Sequence, residues 1–253
     1  MNLILLFDED FVEDRQSCLS VREDRQDCLS STVRLTGRRR DHVMNVHRAA
    51  AGDELVIGVC NGRIGTGLVT RLDDEALELR VALDRDPPPP LPLTLVLALP
   101  RPKVLNRVIA SATSLGVKRI FLINAWRVEK SYWKSPKLAT ENLFMQCILG
   151  LEQARDTMIP SIELRRFFRP FVEEELPSIA AGTQALVGHV WSAATPVAAV
   201  NSGTDITLAI GPEGGFIEEE IASLERIGFT PMSIGPRVLR VETAVAALIG
   251  RLY

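Results

Sequence analysis

Two stretches near the C-terminus combine backbone freedom with charge: Ile210-Gly211-Pro212-Glu213-Gly214-Gly215-Phe216 and Ile234-Gly235-Pro236-Arg237-Val238-Leu239-Arg240. The first leaves the apolar run DITLAI and enters an acidic, helix-like segment, IEEEIASLERIGF. Glycines in such a turn let a ligand approach the backbone closely. A dinucleotide site would need G-x-G-x-x-G and a P-loop G-x-x-x-x-G-K-[ST]; the turn has neither spacing, and no Lys. Glu213, followed by Glu218, Glu219 and Glu220, also repels a phosphate, even though the last three suit the positive end of a helix. Two readings stay open on these residues alone: a small-molecule turn, or a strand-to-helix turn that needs glycine for its geometry. Two such loops close in sequence can wall one pocket, with Arg237 and Arg240 beside it.

Positive charge gathers elsewhere too. Arg34, Arg38, Arg39, Arg40 and Arg48 share their stretch with one acid, Asp41, a composition suited to phosphate contacts or to a solvated loop. In WRVEKSYWKSPK, Lys130, Lys134 and Lys137 flank Tyr132 and Trp133, which suits stacking of an unpaired base or packing between subunits. RRFFR at 165–169 is a third basic cluster, consistent with a sheet edge. The formal net charge of −3 excludes a uniformly basic nucleic-acid coat, so a polyanion must meet a local patch.

These groups need elements to position them. The 253 residues, 46% hydrophobic and 24% charged, suffice for two ordinary soluble domains. RDPPPPLPL at 85–93 continues neither a helix nor a sheet ladder, because proline lacks the amide donor. We divide the chain there into residues 1–86, a linker at 87–92, and residues 93–253. Upstream, LILLF, TVRLTG, DELVIGVC, GRIGTGLVTRL and ALELRVAL are short strand-like runs broken by Gly, Asn and Asp, the pattern of a small β-barrel with a helix near RDHVMNVH. A near repeat, EDRQSCLS at 13–20 and EDRQDCLS at 23–30, reads as a duplicated surface loop. Downstream, LTLVLALP, VKRIFLIN, TQALVGHV and DITLAI are buried strands alternating with helical segments, including KVLNRVIASATSLG, residues 138–156 and the C-terminal apolar stripe. This predicts an α/β domain with a largely parallel sheet, whose ligand sits at the carboxyl ends of its strands. The start, MNLILLFDEDF, lacks the basic segment and cleavage site of a secretory leader, no run approaches a membrane span, and the four scattered cysteines read as reduced thiols without metal, so the expected location is cytoplasmic.

IGPEGGFIEEEI followed by IGPRVLRVETA resembles the paired signature of the small-subunit ribosomal-RNA uridine-N3 methyltransferases (the RsmE type), of the knotted SPOUT class. The resemblance extends over the chain, with VRLTGRRRDHVMNVHRAAAGDELVIG lying in the expected PUA-like barrel. It implies S-adenosyl-L-methionine as methyl donor, a trefoil-knotted α/β methyltransferase domain, a homodimer, and small-subunit rRNA or the assembling 30S subunit as partner. By position in the motif it implies cofactor contacts from Gly211, Pro212, Glu213, Gly214 and Gly215, from Ile234, Gly235, Leu239 and Arg240, and from Gly188 and His189. For the chemistry, Arg240 and Arg237 are expected beside the uracil carbonyls and Glu213 as proton acceptor. RNA contacts are expected from Arg34, Arg38, Arg39, Arg40 and Arg48 and from Lys130, Tyr132, Trp133 and Lys134.

The pattern departs from the family at Arg101, Lys103 and Ser114, and at Asp156 and Thr157 after the family-like Glu152-Gln153 and Arg155. These departures keep open a silent RNA-binding or ribosome-assembly protein of the same fold, or a knotted enzyme acting on tRNA or a ribose 2'-hydroxyl.

Overall fold

The computed structural model describes residues 2–12, 31–190 and 204–253. The near repeat at 13–30, with Cys18 and Cys28, lies outside them. The chain divides into two compact units, residues 1–88 with 151–159, and residues 89–150 with 160–253. Residues 151–159, which sequence reading assigns to the C-terminal domain, group with the first unit.

The first unit is built on a five-stranded sheet, from β1 (Ile4–Leu6), β2 (Ser31–Leu35), β3 (Glu54–Val59), β4 (Ile64–Leu72) and β5 (Leu77–Arg85), in the order β1-β3-β4-β5-β2. Only β1 and β3 run parallel. Alternation of inward apolar residues puts Ile4, Leu6, Val33, Leu35, Ile57, Leu77 and Leu79 in one core. The bridge between Phe11 and Val33 brings the chain just past β1 against β2, so the sheet curls. Helix α1 (Gly37–His42) continues as a π turn, Val43–His47, that buries Val43 in the same core.

One close approach governs this sheet. A Cβ on Gly65 would lie 1.8 Å from the Ala82 carbonyl oxygen, in the adjoining strand β5. Because the obstacle is backbone, Gly65→Ala must part the two strands; we expect a loss of about 3 kcal/mol or more, read as a fall in melting temperature of about 5 °C or more. An unchanged melting temperature would show that the strands yield freely there.

The second unit carries six parallel strands, β6 (Leu93–Ala98), β7 (Arg119–Ile123), β8 (Ser161–Arg165), β9 (Gln184–Gly188), β10 (Ile206–Ile210) and β11 (Thr230–Met232), in the order β11-β9-β10-β6-β7-β8. Its helices are α2 (Pro102–Ser114), α3 (Thr140–Ala154), α4 (Leu176–Ala180), α5 (Glu218–Arg226) and α6 (Val241–Leu252). The unit boundary falls near the end of α3. Proline opens α2, its Leu105, Val108, Ile109 and Ala112 turn inward, and Gly116 at φ 90° ends it. Helix α6 packs on α2 and buries Val245, Leu248 and Ile249. The edge strand β11 contains Pro231, tolerated because an edge position needs no donor on its outer side.

Strand β10 lies between β9 and β6, so the chain leaving β10 turns one way to β11 while the chain leaving β6 turns the other way to β7. Such a reversal of winding opens a crevice at the carboxyl ends of the strands.

Among the described residues no helix is long and apolar enough to cross a membrane, and no group of three metal-ligating side chains gathers. Cys60 and Cys147 are free thiols whose pKa burial raises, which keeps them protonated and unreactive near neutrality.

Candidate active site

Sheet register sets the floor of the site. Gly188 pairs with Ile210 and with Met232, so β9, β10 and β11 end at one level. A cavity of about 100 Å³ opens there, walled by these residues, the two glycine loops and the start of α6.

The first loop is tight. The Gly215 N–H donates to the Pro212 carbonyl at 2.7 Å, and Gly215 takes φ 71°. A Cβ on Gly211 would lie 2.7 Å from the Phe216 nitrogen and 3.0 Å from the Gly215 backbone. In the second loop Gly235 has φ 142°, and the Ser233 hydroxyl bridges it, accepting its N–H at 3.1 Å and donating to its carbonyl at 2.8 Å. Both turns therefore require glycine for conformation as well as for access.

The cavity wall includes Gly188, His189, Gly211, Pro212, Glu213, Gly215, Ile234, Gly235, Arg237 and Leu239 from the positions read out of the sequence. Two of those positions stand outside it. Gly214 turns its carbonyl to the Arg127 guanidinium, and a Cβ there would meet Arg127 Cδ at 2.8 Å rather than the cavity. Arg240 is an exposed residue at the N-cap of α6, where its carbonyl accepts the Ala244 N–H at 2.8 Å. Glu242, two residues further along, pairs with Arg107 at 3.4 Å. Glu213 lines the cavity while one carboxylate oxygen accepts the Arg101 N–H at 2.9 Å, so the carboxylate also ties this loop to the start of α2.

Met232, Ser233, Val241, Ala244 and Leu248 complete much of the wall and escaped the sequence reading. The three-residue, Pro-containing β11 gave no strand signal, and the α6 stripe read as core because helical period does not say what the stripe faces. The wall carries one carboxylate, one guanidinium and one imidazole, and apart from Ser233 the rest is glycine, proline or aliphatic and thioether side chains.

Glu220 braces the same corner. It is 7% exposed, and its carboxylate accepts the Trp126 N–H at 2.7 Å and the Ile217 N–H at 3.0 Å. Removing both acceptors leaves two donors unpaired, so Glu220→Ala should cost about 2 kcal/mol in urea unfolding and Glu220→Gln clearly less. Equal losses in the two variants would mean the carboxylate oxygens are not what matters.

The expected RNA contacts divide. Arg34 and Arg48 are exposed, as are Lys130 and Lys134. Arg38 forks onto buried Glu152 at 2.9 and 3.0 Å, Arg39 onto buried Asp10 at 2.5 and 2.6 Å, and Arg40 reaches the Asp73 carbonyl and Asp41. These three guanidiniums brace the first unit, with partners up to 114 residues away. Tyr132 donates its hydroxyl to Glu129 and Trp133 its indole N–H to Asn124, at 2.9 Å each, leaving both rings half-buried.

Residues 87–253 match the family model of the RNA methyltransferase domain. The chain belongs to this RNA methyltransferase family. Within it, a ribosomal RNA small subunit methyltransferase E of Treponema pallidum is 29% identical over 209 residues, 81% of this chain and 79% of that one. Its namesake in Mycobacterium bovis is 29% identical over 216 residues, 83% and 81% of the two chains. A solved ribosomal RNA small subunit methyltransferase E from Neisseria gonorrhoeae, bound to S-adenosyl methionine, shares the fold with a TM-score of 0.74 at 21% identity, over 99% of this chain and 95% of that one. In this RNA methyltransferase the matched region contains every residue of the cavity wall.

Proposed function

We propose that the protein transfers the methyl group of S-adenosylmethionine to N3 of a uridine in small-subunit (16S) ribosomal RNA, working in the cytoplasm on the RNA or on the assembling subunit. The observation that carries this reading is the cavity at the ends of β9, β10 and β11, within a chain of the RNA methyltransferase family and similar over four-fifths of its length to proteins named for small-subunit rRNA. Its residues fit the donor. Glycine turns expose backbone groups, Met232, Ile234, Leu239 and Leu248 offer apolar walls, and Glu213 offers negative charge to a cation. A phosphorylated cofactor would find no Lys and no glycine nest of the required spacing.

When bound, the donor supplies an electrophilic methyl carbon on a positively charged sulfur. The chain's own residues must hold uracil N3 in line with that carbon, take up its proton and offset charge growing on the flanking carbonyls. We assign the proton to Glu213, through its oxygen not bonded to Arg101, and the carbonyls to Arg237 and Arg240. Gly188, His189, Gly211, Pro212, Gly215, Ile234, Gly235 and Leu239 hold the donor.

The finer architecture belongs to the same proposal. The curled sheet of the first unit, with exposed Arg34 and Arg48, serves as a PUA-like, RNA-binding barrel. The second unit is the SPOUT-type domain with its trefoil knot, and two copies assemble into a dimer.

Two measurements test this. Calorimetric titration with S-adenosylhomocysteine should give saturable binding; its absence in folded protein would remove the donor site. Mapping modified nucleosides in cells lacking the protein should show loss of N3-methyluridine from small-subunit rRNA, and a missing 2'-O-methyl mark or tRNA mark in its place would overturn the substrate.

A further inference from the structure

The loop that follows β7 presents an aromatic side chain that the proposed chemistry leaves unused. Trp126 is 77% exposed, an unusual position for an indole, yet its backbone is firmly held. Its N–H donates to Glu220, the Arg127 guanidinium donates to the Gly214 carbonyl, and buried Val128 closes the turn with its N–H on the Ala125 carbonyl at 3.0 Å. One of these ties ends on the loop that walls the cavity and another on α5, the helix that follows it.

A neighbouring ring shares this end of the sheet. Ile123 pairs with Arg165, and the Asn124 N–H donates to the Arg165 carbonyl at 2.9 Å, so Trp126 and Phe167, the latter 73% exposed, leave adjoining strands from one level. Trp133, one of the two rings singled out in the sequence, is committed: its indole N–H is bonded to Asn124, and Arg166 lies over the ring at 5.7 Å. Charge is locally reversed. Residues 124–134 carry Arg127, Lys130 and Lys134 against Glu129 alone, in a chain whose net charge is −3.

We propose that Trp126 is the stacking face for an unpaired base of the RNA substrate, with exposed Arg127, Lys130 and Arg166 offering positive charge to the adjoining phosphates. The inference rests on the RNA methyltransferase reading of the cavity and adds a residue that determines substrate binding. A π face accepts any base, and a ring on a braced loop spends little entropy on binding. A second copy of the chain is the poorer occupant, because a two-fold contact at this patch would set its cations against themselves.

The test compares wild type with Trp126→Ala and Trp126→Phe, using transcribed small-subunit rRNA and particles from cells lacking the protein. Trp126→Ala should raise the Kd for RNA roughly 10- to 100-fold, and Trp126→Phe should recover most of it. The affinity for S-adenosylhomocysteine and the sedimentation coefficient should not change. Lys130→Gln should lower the slope of log K against log salt by about one. An unchanged RNA Kd in Trp126→Ala overturns the proposal. So does a shift to a smaller species, which would make Trp126 a contact between copies, or an equal loss of S-adenosylhomocysteine, which would make it part of the pocket. Wild-type protein that binds RNA without methylating uridine removes the functional reading instead, leaving the Trp126 contact to be judged on binding.

Discussion

Gly211→Ala should weaken S-adenosylhomocysteine binding about 100-fold, equivalent to about 2.7 kcal/mol. The added methyl carbon meets the Phe216 nitrogen at 2.7 Å and the Gly215 Cα and carbonyl carbon at 3.0 Å, all backbone, so no side chain can swing aside. Nor can the turn retreat through Phe216, whose ring is 4% exposed and stands 6.0 Å from that of Phe168. The remaining freedom is outward movement of Pro212 and Glu213, both in the cavity wall. Gly250→Ala is the control: it lies in α6 with nothing within 4 Å of a new Cβ, so it should leave affinity unchanged and stabilise the helix by up to about 1 kcal/mol. Titration of both variants decides the matter. Wild-type affinity in Gly211→Ala would mean the donor binds away from this turn.

Arg240→Ala should lower kcat about 10²- to 10³-fold while the Kd for S-adenosylhomocysteine stays within about threefold of wild type, the pattern of a lost donor to developing charge. The geometry sharpens this expectation. Arg240 is exposed, carries no ion pair to Glu242, and stands next to the cavity-lining Leu239, so its guanidinium is available to a substrate approaching from outside. Arg237 lines the cavity itself, and Arg237→Ala should therefore raise the Kd as well as lower turnover. Single-turnover rates and titrations on the two variants separate the roles. Parallel losses of affinity and rate in Arg240→Ala would demote it to a residue that shapes the pocket.

The departures from the family pattern acquire a physical setting. The Ser114 hydroxyl donates to the Ala110 and Gly150 carbonyls at 2.8 and 3.1 Å, within the α2 and α3 packing. Thr157 reaches the Gly62 carbonyl, and its methyl occupies the place a Cβ on Gly58 would need, 2.5 Å away. Asp156, also buried, accepts the Met158 N–H at 2.9 Å. Ser114, Asp156 and Thr157 thus serve packing within their units and lie outside the cavity wall, so they give no support to a silent pocket.

Sequence alone determined whatever is local. Helical spacing of Leu105, Val108, Ile109 and Ala112 placed α2, apolar runs placed β6, β7, β9 and β10, and the glycine spacing of 210–216 and 234–236 excluded phosphate loops and marked the two turns, because periodicity and backbone freedom are properties of neighbouring residues. Tertiary structure alone decided where side chains end up. It brought Gly188, Ile210 and Met232 to one level by strand register, turned Ala244 and Leu248 toward the cavity, moved Gly214 behind its wall, and gave Arg38 and Arg39 to Glu152 and Asp10. A guanidinium on a basic run looks free until a carboxylate 114 residues away folds onto it, since a buried carboxylate left without a partner is costly and no local pattern announces the pairing.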